Sequence, residues 1–144
     1  MDRPQAGTVL EDLVNVQKQG VDTVLSMLEP EEAAALGLGS EAELCCALGL
    51  RFMSRPIEDM QLPSPTGFLR SINGVAQILY HGGHVAVHCH AGIGRSGMVA
   101  ATILGLFGYN VAKAVERVSD ARGKKVPDTA EQVAFIATMI DRLR

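Results

Sequence analysis

The run His84-Val85-Ala86-Val87-His88-Cys89-His90-Ala91-Gly92-Ile93-Gly94-Arg95-Ser96-Gly97 constrains this chain more than any other part of it. Its first five residues read as the clearest strand in the sequence, small residues then force a turn, and a helix is expected to begin near Arg95. Strand, small-residue turn and helix in immediate succession are the building unit of α/β folds, whose ligands bind outside the carboxyl ends of the strands. Loop amides and the positive end of the helix dipole then converge on one point, which suits an anion.

The remaining patterns alternate in the same way. Leu10, Leu13, Val14 and Gln17 hold helical spacing up to Gly20, and Val21–Ser26 is a short β-prone run. Pro30 opens an acidic helix to about Leu36, and Ser40 with Glu43 predicts a capping box for a helix through Cys46. Arg51–Ile57 reads as extended and Glu58–Pro65 as a surface loop. A helix from Pro65 carries Phe68, Leu69, Ile72, Val75, Ala76 and Leu79 at a 3.6 period until Gly82-Gly83, and helices are expected over Arg95–Phe107, Val111–Ala121 and Thr129–Leu143. The fold class expected is α/β: one domain over residues 1–144, with a small, mainly parallel sheet flanked by helices.

Composition narrows the function classes. Lys plus Arg is 13 and Asp plus Glu is 16, a net −3 with no basic run, so nothing favours nucleic acid or an anionic membrane as the main partner. The longest mostly apolar stretch, Met98–Tyr109, is 12 residues against the ~20 that span a bilayer, and residues 1–5 hold no apolar leader, so a cytoplasmic protein is expected. A monomer is the separate expectation for its assembly, on which these residues carry no signal of their own. Three cysteines, with Cys45 and Cys46 adjacent, do not make a disulfide framework. Those two are expected to pack as small apolar residues, the alternative being a redox partner for Cys89.

The chemistry lies in the 88–97 segment. Helix N-termini and neighbouring cations pull a cysteine pKa from ~8.5 into the range ~3.5–7.5, so Cys89 is expected to be a thiolate facing the anion held by the loop. Gly92, Gly94 and Gly97 permit positive φ and close backbone approach, and the Arg95 guanidinium offers a fork that fits two phosphate oxygens. This is the equipment for in-line attack on phosphorus through a cysteinyl-phosphate. Glu58 or Asp59 would protonate the leaving oxygen and later activate water.

Cys89, five residues and Arg95-Ser96, within His-Cys-X-X-Gly-X-X-Arg-Ser, resembles the signature of the cysteine-based protein tyrosine phosphatases. The run Gly20–Ser26, the loop Pro56-Ile57-Glu58-Asp59 ending at Pro63, and Pro127-Asp128-Thr129 with Gln132 resemble the small dual-specificity branch. The resemblance implies a phosphatase P-loop between a central strand and a helix, and a phosphorylated protein or other phosphate monoester as substrate. It implies Cys89 as nucleophile, phosphate binding by His90, Ala91, Gly92, Ile93, Gly94 and Arg95, Asp59 as general acid, and no metal or organic cofactor. Ser96 would assist loss of the thiolate and His88 would hold the loop. Gln132 sits where some relatives place a water-positioning glutamine, its other reading being an exposed helix residue. No long N-terminal region carries a phosphotyrosine clamp, which implies a shallower pocket.

Competing readings are weaker. Gly92-Ile93-Gly94-Arg95-Ser96-Gly97 also fits G-x-G-x-x-G, but a dinucleotide site needs an acidic residue ending a second strand ~20 positions on, and Glu116 falls inside a helical run. No Lys-Ser or Lys-Thr follows the glycines, as a Walker loop requires. His81, His84, His88 and His90 lack a second ligand cluster for a metal. Glu31-Glu32 and Lys124-Lys125 read as solvated surface charges. Phosphoinositides, RNA 5′ ends, small metabolites, sulfur-transfer or arsenate chemistry, and a phosphopeptide-binding module remain as alternatives.

Overall fold

A computed structural model describes residues 1–144. Three parallel strands, β1 (Thr23–Ser26), β2 (Arg51–Ser54) and β3 (Val85–His88), form a sheet in the order β2-β1-β3. Register pairs Thr23 with both Arg51 and Val85, and Ser26 with both Ser54 and His88, so the three carboxyl ends are level. Helices α1 (Val9–Lys18), α2 (Pro30–Ala35), α3 (Glu41–Ala47), α4 (Pro65–Tyr80), α5 (Arg95–Leu106), α6 (Val111–Arg122) and α7 (Ala130–Leu143) cover it.

The period-2 geometry of the central strand divides the core. Val24 packs with Val9, Leu13, Leu28, Leu38, Cys45 and Leu50, a cluster built largely by α1 and α3. Leu25 points the other way, into the larger cluster of Phe68, Ile72, Met98, Ile136 and Ile140 from α4, α5 and α7. All four β1 residues are therefore buried, as a strand covered on both faces requires. Phe68 and Phe135 meet edge to face at 5.1 Å and tie α4 to α7.

The expected order of elements is the observed one, with shorter strands. Arg55 N and Ile57 N still donate to Ser26 O and Met27 O, but Pro56 has no N–H to continue a ladder, so β2 ends at Ser54. The capping box expected at Ser40 is absent: Ser40 sits at φ −98°, ψ 6° and makes no side-chain cap bond. The reciprocal arrangement occurs instead at α7, between Thr129 and Gln132. No helix is long and apolar enough to cross a membrane.

Candidate active site

Strand β3 delivers buried His88 and Cys89 to the carboxyl edge of the sheet, residues 90–94 turn, and α5 starts at Arg95. Of the three loop glycines expected to use positive φ, only Gly92 does so, at 70°; Gly94 is at −75°. Gly94 lets the Asp128 side chain lie against the loop, since a Cβ there would stand 2.3 Å from Asp128 Oδ2 and the exposed carboxylate would have to move. Cys89 Sγ is 3.4 Å from Ser96 Oγ. Burial raises the thiol pKa, but bonds from the Ser96 hydroxyl and from the Ser96, Gly92 and Ile93 amides outweigh it and hold Cys89 below its ordinary value. The amide-lined cradle thus favours the thiolate form of the nucleophile.

Arg95 is the largest fully buried side chain, at 1% exposure. Its Nη1–Nη2 edge, expected to be a fork for phosphate, is held by Glu32: Oε1 and Oε2 each accept at 2.7 Å. Nη1 also donates to Ile57 O at 2.9 Å, and Nη2 lies 3.2 Å from Asp59 Oδ1. No hydrogen bond within the chain uses Nε, so the Nε–Nη2 edge, with Asp59 beside it, is the one left for an oxyanion. Burial disfavours the guanidinium charge, but Glu32, Asp59 and Cys89 more than offset it and hold its pKa above the usual value. The bonds from Arg95 likewise hold the Glu32 carboxyl below its usual range. The reading of Glu31-Glu32 as solvated charges is therefore corrected for Glu32, which is 18% exposed and clamps the phosphate-loop arginine.

Other residues frame the cradle. His88 Nε2 donates to Glu41 Oε1 at 2.6 Å, both side chains being buried, and this pair fixes the start of the loop from α3. Arg122, near the end of α6, donates from Nε to Gly92 O at 2.8 Å and from Nη2 to Ala91 O at 3.1 Å. Arg3 donates to His90 O, so the N-terminal segment lies along the same loop. Gln132 is buried, which removes its reading as an exposed helix residue; its Oε1 accepts from Thr129 N, and its Nε2 has no partner. Asp59 is 57% exposed at the rim, and Glu58 is exposed with no ion pair. Glu41 and Arg122 escaped the sequence reading, Glu32 was read only as a surface charge and Asp128 only as part of the Pro127-Asp128-Thr129 run, since each reaches the loop from a different element. Cys45 is buried, and desolvation, helped by the Glu41 charge, pushes its thiol up to about 11, which makes it a poor redox partner for Cys89. No three side chains of His, Cys, Asp or Glu converge as metal ligands.

A family model described as a DSP-PTPase phosphatase of polymorphic toxin systems matches residues 1–108. Protein tyrosine phosphatase domain-containing protein 1 of Danio rerio is 33% identical over 96 residues, covering 66% of this chain and 13% of the relative. The Mus musculus protein of the same name is 32% identical over 94 residues, with 60% and 12% covered, so the chain spans a small fraction of these relatives' length. Among solved structures, kinase associated phosphatase with its catalytic cysteine replaced by serine superposes with a TM-score of 0.84 at 20% identity, over 93% of this chain and 76% of that one. PTPMT1 in complex with PI(5)P superposes at 0.80 and 17% identity, over 99% and 88% of the chains.

Proposed function

Because the chain belongs to the cysteine-based protein tyrosine phosphatase superfamily, as a phosphatase of the dual-specificity type, we propose that it hydrolyses phosphotyrosine, and phosphoserine or phosphothreonine, in proteins through a cysteinyl-phosphate. The observation that carries the reading is the Cys89 sulfur 3.4 Å from the Ser96 hydroxyl at the start of α5, where, against burial, that hydroxyl, the Ser96 amide and the Gly92 and Ile93 loop amides lower its pKa.

In this scheme the phosphate sits on the amides of residues 90–94 and the Nε–Nη2 edge of Arg95, displacing Asp59 from Nη2. Cys89 Sγ attacks phosphorus in line, the Sγ–P bond forms as the ester P–O bond breaks, and Asp59 gives its proton to the leaving oxygen. When the Sγ–P bond later breaks, the Ser96 hydroxyl 3.4 Å away stabilises the returning thiolate. His88, anchored by Glu41, keeps the strand end in place. The scheme calls for no metal or organic cofactor. The reading also places the enzyme in the cytoplasm, where a thiolate nucleophile stays reduced.

A Cys89→Ser variant is expected to lose turnover while still binding vanadate, because the amides and Arg95 remain. A substrate panel then separates classes: phosphopeptides should be turned over ahead of phosphoinositides, RNA 5′ ends, small phosphate esters, arsenate and thiosulfate. Turnover surviving in Cys89→Ser, or wild-type activity lost to chelators, would refute the cysteinyl-phosphate. Phosphoinositides leading the panel would transfer the substrate assignment to lipid headgroups.

A further inference from the structure

We propose that Arg3 is a positioning residue of the phosphate loop: its bond to His90 O turns the His90–Ala91 peptide so that the Ala91 N–H faces the phosphate. The inference rests on the phosphatase reading above and extends the loop's machinery to the segment before α1.

Residues 1–5 lie on the loop as a strap fixed along its length. Met1 N donates to Val87 O at 2.8 Å, and Asp2 Oδ1 accepts from Arg122 Nη2 at 2.7 Å. Pro4 is buried, and Gln5 N donates at 2.8 Å to Oδ2 of Asp12 in α1. The strap passes so close that a Cβ on Gly92 would stand 2.4 Å from Met1 O. Arg3 is held between these fixed points, so its side chain reaches His90 O from a backbone that is already ordered.

Two arginines divide the loop carbonyls between them. Arg3 takes the oxygen of His90, and Arg122 takes those of Ala91 and Gly92 at 3.1 and 2.8 Å, so three consecutive carbonyls face cations outside the cradle. Across a planar trans peptide the N–H points away from the carbonyl, so these bonds aim the amides of Ala91, Gly92 and Ile93 inward. None of the three donates to a backbone carbonyl, which leaves them for an anion. Their tasks differ. The Gly92 and Ile93 amides act with Ser96 on the Cys89 sulfur, whereas Ala91 is not among the groups that dominate there. The amide that Arg3 orients therefore serves the bound oxyanion, and those that Arg122 orients serve the nucleophile as well.

The test compares Arg3→Met with Arg122→Met in the full chain by kcat/KM on an aryl phosphate, by vanadate inhibition, and by the pH dependence of Cys89 alkylation with neutral iodoacetamide. Deleting an oxyanion donor outright costs about 10²–10³-fold in rate. Arg3→Met keeps the Ala91 amide and only frees its orientation, so kcat/KM and vanadate affinity should each fall about tenfold. The alkylation inflection should stay at its wild-type pH, and Arg3→Lys, which keeps a donor for His90 O, should recover part of the loss. Arg122→Met should instead move the inflection upward, because the Gly92 and Ile93 amides lose their orientation. Wild-type kcat/KM and vanadate affinity in Arg3→Met overturn the proposal. So does an inflection that rises in Arg3→Met as it does in Arg122→Met, which would mark the strap as a general brace of the loop. A wild-type chain with no aryl phosphatase activity sensitive to vanadate and to Cys89 alkylation overturns the phosphatase reading itself, and is seen before any Arg3 variant is made.

Discussion

Replacing Glu32 by Gln removes one charge from an ion pair whose other member, Arg95, is 1% exposed. Breaking a fully buried pair from one side costs about 3–5 kcal/mol, because the surviving charge loses its partner but stays out of water. Two features lower that figure here. Glu32 is itself 18% exposed, and Arg95 keeps Ile57 O at 2.9 Å and Asp59 Oδ1 at 3.2 Å. Gln also retains one acceptor oxygen, but turns an amide N–H₂ toward a guanidinium nitrogen that can only donate. The expected loss is about 2–3 kcal/mol, equivalent to a fall of about 5–10 °C in Tm for a domain of this size. Catalysis should suffer separately: with the Nη1–Nη2 edge unclamped, the Nε–Nη2 edge no longer points into the cradle, and misplacement on the scale of an ångström costs about 10²-fold in rate. Thermal unfolding and kcat/KM on an aryl phosphate measure the two effects, with Glu31→Gln, an exposed neighbour on the same helix, as the silent control. A Glu32→Gln protein that melts within a degree or two of wild type and keeps its kcat/KM would show that the guanidinium is not held by this carboxylate.

Asp59→Asn should make kcat/KM fall steeply as the leaving-group pKa rises, while wild type stays nearly flat and Glu58→Gln is close to silent; the reverse pattern would move the acid to Glu58, which has no contact with Arg95. The second expectation concerns pH: burial opposes the Cys89 thiolate, but Ser96 and the loop amides outweigh burial, so the thiolate persists below the ordinary thiol range. Inactivation by iodoacetate should therefore rise with pH and level off below ~8.5. Cys45, pushed up to about 11, should stay unalkylated there, and Ser96→Ala should move the Cys89 inflection upward. An inflection at or above ~8.5 in wild type would contradict the amide cradle.

The phosphate loop was legible because its physics is local: strand, turn, nucleophile and helix start occupy consecutive residues, and Cys89 with Ser96 interact across only seven positions. The residues that tension it were not. Glu32 reaches Arg95 across 63 positions, Glu41 reaches His88 across 47, and Arg122 reaches Gly92 across 30, separations at which no periodicity links the partners. Helix α2 is six residues with no buried side chain, too short to display an apolar face, so Glu31 and Glu32 look alike in sequence although neighbouring positions on a helix point about 100° apart. The missing cap at Ser40 has a related cause. Glu41, the first residue of α3, is drawn inward by His88, and this tertiary bond overrides the local preference that Ser40 and Glu43 signal.

Charge alone does not make this cradle an anion site. The positive charge of Arg95 is already matched by Glu32, and Asp59 lies beside it, so the side chains around the guanidinium are net negative before any phosphate arrives. The attraction must come from oriented peptide dipoles, and their orientation is imposed from outside the loop. A trans peptide is planar, with its carbonyl and the following N–H pointing in opposite directions. Arg122 accepts no hydrogen bonds and donates to the carbonyls of Ala91 and Gly92, which turns those two oxygens outward toward α6. The N–H groups of Gly92 and Ile93 belong to the same two peptide planes and so point inward, and they are two of the amides that lower the Cys89 pKa. A cation that never touches the anion thereby sets the dipoles that hold it, and the thiolate and the phosphate are stabilised by one set of peptide groups whose geometry is fixed before either charge is present.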